Sequence, residues 1–167
     1  MGGNKYLTYS VFNGKPGVHI REYISYNGTK KYPTKTGITM SPQRFARLSD
    51  AFVSVEMAKQ RQSLGGDEVA NLFHHVGGRL YAVIVQETNG VKLSYVDKDM
   101  FTGVYSSKGG ICLKEGEWDN LMLHSAMLRG EVEELDTARA CTYDEDHQNQ
   151  LGMMNCIECT PFGDFCI

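Results

Sequence analysis

Residues 18 to 55 recur at 91 to 128 at a constant offset of 73, without a gap. Val18 answers Val91, Ile20 answers Leu93, Tyr32 answers Tyr105 and Lys35 answers Lys108. Gly37-Ile38 answers Gly110-Ile111, Met40 answers Leu113, Phe45 answers Trp118 and Leu48 answers Leu121. Self-similarity at a fixed period means that one supersecondary unit is used twice. The apolar skeleton repeats while the charges differ, so the copies are expected to share a fold and divide in function.

Each copy reads as strands followed by a helix. In the first, residues 5–12 and 18–24 are rich in aromatic and β-branched side chains. Asn13-Gly14-Lys15-Pro16-Gly17 and Asn27-Gly28 supply hairpin turns. A short strand at 30–32 is expected to stop at Pro33, and a fourth strand to run over 37–40. Ser41-Pro42 opens a helix as N-cap and first helical residue, and Phe45, Leu48, Phe52 and Val55 form its apolar stripe. The second copy reads as a short helix at 68–73, strands at 80–86, 91–96, 101–105 and 111–113, and a helix lined by Trp118, Leu121, Met122, Ser125 and Leu128 that Gly130 closes. The expected fold class is α+β. Two β-β-β-β-α units, each a four-stranded antiparallel sheet plus a helix, form an intrachain pseudo-dimer with its outer sheets open. The boundaries are 1–62 for the first repeat, 63–68 for a linker, 69–135 for the second repeat and 136–167 for an acidic, cysteine-rich tail.

The net charge of −3 conceals a gradient. Residues 1–62 carry +7, residues 63–130 carry −2 and residues 131–167 carry −8. A basic start with an acidic end suggests a polyanionic partner and a tail that counters it. No apolar run is long enough to span a membrane, and the first residues lack a signal peptide's apolar stretch. The expected location is intracellular, in nucleus or cytoplasm, or in the host cell if the chain is viral. Four of the five cysteines, Cys141, Cys156, Cys159 and Cys166, lie in the tail, and the fifth is Cys112. An odd, clustered set reads as reduced thiols rather than a disulfide framework.

The run Val18-His19-Ile20-Arg21-Glu22-Tyr23, then Pro33, then Lys35-Thr36-Gly37-Ile38-Thr39-Met40 and Ser41-Pro42-Gln43-Arg44-Phe45, resembles the positive cofactor four family of transcriptional coactivators, which bind single-stranded DNA. The likeness runs from Lys5 to about Val55; the second copy shares it only through the internal repeat. The resemblance implies a dimeric sheet with two channels for single strands, bound without regard to sequence. It places contacts on Phe12, Asn13, Gly14, Lys15, Arg21 and Lys35. The chain departs from the pattern at Ile24, where the family has a stacking tryptophan, and at Thr36, where it has a second basic residue.

Single-strand binding needs cations along a groove and flat rings for bases to stack on. Candidates in the first copy are Tyr9, Phe12, Asn13, Gly14, Lys15, Arg21, Tyr23, Lys30, Lys31, Tyr32 and Lys35; Tyr26 is a further ring and His19 shares the face of Arg21. The second copy offers Lys92, Tyr95, Tyr105 and Lys108, opposed by Asp97 and Asp99. In the tail, Cys156-Ile157-Glu158-Cys159 with Cys141, His147 or Cys166 has zinc-ligand chemistry, but one C-x-x-C with irregular partners is weak, and the expectation is no metal and no cofactor. Asp144-Glu145-Asp146 through Phe162, Asp164 and Phe165 could instead mimic a nucleic-acid strand.

No P-loop, nucleophile elbow or H-E-x-x-H is present, so no enzyme is expected. The expected function is sequence-tolerant single-stranded DNA binding in transcription or replication. Alternatives are a protein-interaction scaffold of that machinery and an RNA-binding protein. Expected partners are single-stranded DNA, then RNA and transcription or replication proteins, with homo-oligomers beyond the pseudo-dimer left open.

Overall fold

The computed structural model describes residues 1–65 and 72–162. Its strands are β1 (Lys5–Phe12), β2 (Lys15–Tyr26), β3 (Lys30–Met40), β4 (Phe73–Gly77), β5 (Leu80–Val85), β6 (Gly90–Lys98) and β7 (Tyr105–Leu113). Helices are α1 (Pro42–Ser63), α2 (Glu115–Glu131), α3 (Glu133–Thr137) and α4 (Gln150–Asn155), with 3-10 turns at Cys141–Tyr143 and Glu145–Gln148. All neighbouring strands are antiparallel, and they form one seven-stranded sheet in the order β1-β2-β3-β7-β6-β5-β4. The two four-stranded sheets expected from the sequence are thus corrected to one sheet, with three strands from the first half and four from the second.

The differences have local causes. The strand at 30–32 does not end at Pro33 but runs on through Met40 as β3. Pro33 faces Tyr23 where the β2–β3 ladder shifts, and β3 meets β7 only at Gly37–Gly110, so no strand on the β7 side asks Pro33 for an N–H. The strand expected at 101–105 is instead a turn. The Asp99 carboxylate accepts from the N–H groups of Phe101 at 2.8 Å and Thr102 at 2.9 Å, which also holds its pKa below the ordinary value. Phe73–Gly77 is strand β4, so His74 and His75 are ladder residues rather than linker; the helix expected at 68–73 falls mostly on residues 68–71, which lie outside the described residues. Gly130 lies inside α2, which ends at Glu131.

The turns follow their sequences. Asn13-Gly14 and Asn27-Gly28 adopt positive φ at both residues, 50° and 71°, then 58° and 73°. At Asn13-Gly14, the two-residue loop between Phe12 and Lys15, these are the angles that the turn requires; Asn27-Gly28 opens a three-residue loop that Thr29 completes before Lys30. Ser41 caps α1 by accepting from the Arg44 N–H at 3.2 Å.

The repeat is visible in the pairing. Val18 faces Met40 and Ile20 faces Ile38 in the first half; Val91 faces Leu113 and Leu93 faces Ile111 in the second. All eight are buried and face the helices. Each ladder slips once, between Arg21 and Tyr23 and between Leu93 and Tyr95. The halves join where the equivalent glycines Gly37 and Gly110 pair. A Cβ on Gly110 would sit 2.1 Å from the Leu93 carbonyl oxygen, and its φ of +102° suits only glycine.

Each long helix touches strands of both halves. α1 packs on β2, β4 and β5; α2 packs on β1, β6 and β7. Between them Trp118 is fully buried, edge-on to Phe52 at 5.2 Å, and its Nε1 donates to Glu56 at 2.8 Å. Glu56 also accepts from Lys59 at 3.1 Å, and Lys59 is only 4% exposed. A buried ammonium is tolerated because this carboxylate is fixed beside it.

Candidate nucleic-acid interface

The helix-free face of β1–β3 follows from strand alternation. Val18 and Ile20 point to the core, so His19 and Arg21 point away from it. The register sets Thr8 beside His19, and Tyr6 beside Arg21. Thr8, Ser10, His19, Arg21, Tyr23, Pro33, Thr34, Lys35 and Thr39 line a groove of 570 Å³, with Tyr9 at its border.

The groove is internally braced. Arg21 Nη1 donates to the Thr34 carbonyl at 2.8 Å, which fixes the guanidinium across β2 and β3. His19 sits between Ser10 Oγ at 2.8 Å and Thr39 Oγ1 at 2.9 Å. Desolvation, then the nearby Arg21 charge, holds its pKa below the ordinary imidazole value. At neutral pH the groove's positive charge therefore comes from Arg21 and Lys35. Tyr23 meets Tyr6 edge-on at 5.3 Å.

Other candidates scatter. Phe12, Asn13, Gly14 and Lys15 form the exposed tip of the β1–β2 hairpin, and Phe12 is 76% exposed. Alternation puts Phe12 on the same face as Tyr6, Thr8 and Ser10, in line with the groove. Tyr9 faces Val18 on the helix side of the sheet, and its hydroxyl donates to Glu134. Lys31 turns back on Tyr6, donating to its hydroxyl with Nζ 4.4 Å from the ring centroid. Lys30 and Tyr32 pair with Tyr26 and Ile24, one step out of phase with Tyr23, and so lie on the opposite side of the β2–β3 ribbon. The sequence reading missed Tyr6 as a site residue. Its signal was the two-residue phase of β1, in which Tyr6, Thr8, Ser10 and Phe12 share one face.

In the second half every candidate is engaged within the chain. Lys108 Nζ donates to Asp97 at 2.7 Å, and Arg79 reaches the same carboxylate at 3.1 Å. The Lys108 hydrogen bond and charge hold Asp97 below the ordinary carboxylate range. Lys92 donates to Ser107 at 3.1 Å, and the Tyr95 hydroxyl donates across the seam to the Thr39 carbonyl at 2.9 Å. Tyr105 is met edge-on by Phe162 at 5.6 Å, and the Arg79 guanidinium lies 5.4 Å from the Phe162 ring centroid. The outer sheet expected to be open is thus partly covered here, with a 640 Å³ pocket between Phe73, His75, Tyr81 and Tyr105 on the sheet and Met153, Met154 and Phe162 above it. Asp164, Phe165 and Cys166 lie outside the described residues.

The tail is anchored at the C-x-x-C. Arg44 Nε donates to the Glu158 carboxylate at 3.0 Å, and the Gly78 N–H donates to the Glu158 carbonyl at 2.9 Å. No helix among the described residues is long and apolar enough to cross a membrane.

Residues 1–51 match the family model described as Transcriptional Coactivator p15 (PC4). Over 57 residues, 34% of this chain, the sequence is 37% identical to a Caenorhabditis elegans protein provisionally described as an RNA polymerase II transcriptional coactivator. The match spans about half of that relative's length, 46%. No solved structure matches the chain. Residues 1–51 are therefore similar to the p15 (PC4) transcriptional coactivators, and every residue that lines the groove falls within that segment.

Proposed function

We propose that the chain is a transcription-related protein that holds single-stranded DNA in the β1–β3 groove without reading its sequence. The observation that carries this is the convergence of Arg21, Lys35, Tyr6 and Tyr23 on one helix-free face, in line with the exposed Phe12. Arginine and lysine neutralise phosphates, and rings accept any base at about 1–3 kcal/mol per stack. On this reading the two halves act as a covalent pseudo-dimer: each helix bridges both halves and the equivalent glycines meet at the seam. The open groove belongs to the first half, while in the second half Lys108 and Arg79 are paired with Asp97 and Lys92 is held by Ser107.

Fluorescence anisotropy with labelled oligo-dT, titrated with salt, tests the proposal. Affinity should fall with salt at a slope of about −0.7 per phosphate contact. The Arg21→Ala/Lys35→Ala chain should lose at least tenfold in affinity, with a shallower slope by about 1.4. No binding to oligo-dT at low salt would overturn the proposal. It would favour the protein-binding alternative, for which Val53 and Met57 on α1 and Leu123 and Met127 on α2 remain more than half or half exposed, at 68%, 50%, 59% and 54%. A matched oligo-rU titration separates DNA from RNA preference.

A further inference from the structure

Cys141, His147 and the Cys156–Cys159 turn come together from three different stretches of the tail, and the four ligand atoms all lie within 4.8 Å of one another. The sulfurs are spaced as a metal would space them. Cys141 Sγ is 3.6 Å from Cys159 Sγ and 3.8 Å from Cys156 Sγ. A disulfide holds its sulfurs about 2.05 Å apart. A tetrahedral zinc with Zn–S arms of about 2.3 Å holds them about 3.8 Å apart. The fourth member is a histidine whose two ring nitrogens are buried and meet no partner at good hydrogen-bond geometry, with the Cys156 thiol as the polar neighbour of its ring. Such a nitrogen is costly unless something takes its lone pair.

The surroundings suit a metal as well. Cys156 and Cys159 sit on one tight turn, with the Cys159 N–H on the Cys156 carbonyl at 3.1 Å and the Thr160 N–H on the same carbonyl at 2.8 Å. Three thiolates, one neutral imidazole and one dication leave a net charge of −1. Arg47 supplies the balancing cation: its Nη1 lies 3.7 Å from Cys141 Sγ and 3.5 Å from Cys159 Sγ. Outer-shell donors of this kind orient and stabilise metal thiolates.

We propose that Cys141, His147, Cys156 and Cys159 form a closed, structural zinc site that folds the tail into the unit that Arg44, Arg47 and Gly78 hold in place. Four protein ligands with no open position suit a structural rather than a catalytic ion. Soft sulfur donors with one imidazole select zinc over magnesium or calcium.

The full chain, expressed in zinc-supplemented medium and purified without chelator, is measured by elemental mass spectrometry and then exchanged with cobalt(II). One zinc per chain is expected, together with a thiolate-to-cobalt charge-transfer band and the intense visible bands of tetrahedral cobalt. Cys156→Ser/Cys159→Ser should abolish both, while Cys112→Ser, outside the cluster, should keep both. A wild-type chain that holds no zinc, or that gives only the weak bands of octahedral cobalt, overturns the proposal. So does full zinc retention in the double variant. The wild-type spectrum needs no variant to fold, and it is independent of whether the groove binds DNA.

Discussion

At the scale of single residues, the groove is a set of side chains whose charge and orientation are fixed by neighbours one strand away. Arg21 is held by the Thr34 carbonyl and is presented rather than floating, so replacing it by lysine should weaken oligo-dT binding several-fold by losing the fork geometry. His19 is held neutral at neutral pH by desolvation and by Arg21. Affinity should then be flat between pH 7 and 8 and rise only below about pH 6.5, where imidazole begins to charge; His19→Gln should remove that rise and nothing else. The sign for stability is opposite. A histidine with a lowered pKa binds fewer protons folded than unfolded, so its contribution is complete above the ordinary imidazole value and fades as pH falls through it. In the core, Glu56 alone faces two obligate donors, the Trp118 indole and the buried Lys59. Glu56→Ala should cost about 3 kcal/mol in chemical denaturation, since it strands an ammonium without its counter-charge. A loss below about 1 kcal/mol would mean that Lys59 finds water instead.

At the scale of elements, the repeat made most strands, both long helices and the hairpin turns legible, because apolar alternation and Asn-Gly pairs act locally. What stayed hidden depended on neighbours. Pro33 read as a stop, and the absence of a paired strand on its β7 side, with the shifted register on its β2 side, lets β3 continue. Phe73–Gly77 carries two histidines in place of an alternating apolar pattern, so β4 is decided by its pairing with β5. For the site, Arg21, Lys35, Tyr23 and the Phe12 hairpin were legible from the strand phase and the family likeness. Tyr6 and the opposite facing of Tyr32 follow from strand alternation, whereas the diversion of Lys31 to Tyr6 depends on the register that the slip between Arg21 and Tyr23 sets, which leaves no mark in composition. The seam glycines make a test at this scale. Gly110→Ala should destabilise more than Gly37→Ala, because a Cβ meets a carbonyl oxygen at 2.1 Å in the first case and 2.7 Å in the second, and because Gly110 alone has a left-handed φ. Equal denaturation midpoints for the two variants would contradict the close approach. Chelation should raise amide exchange across 141–162 while leaving β1–β3 protected, as expected if the metal holds the tail rather than the sheet.

At the scale of the whole molecule, one chain carries two versions of one surface and treats them differently. The first keeps its cations facing outward; the second spends Lys108 on Asp97 and sets Phe162 against Tyr105. Ending the chain after Ala140, which is buried and so should be kept, ought to bare the second surface. Analytical ultracentrifugation with excess oligo-dT should then detect a second, weaker strand where the full chain takes one. A truncated chain that still takes a single strand would show that Asp97, not the tail, closes that surface. The Gly37–Gly110 seam has a broader consequence. An assembly of two identical subunits must offer any partner the same face twice, whereas a fused pair of diverged halves, joined by one ladder pair and by helices that lie across both, has a built-in left and right. On the proposed reading, a strand in the trough would then have only one choice of lane, and a partner on the far side of the molecule would always meet the same flank of that strand.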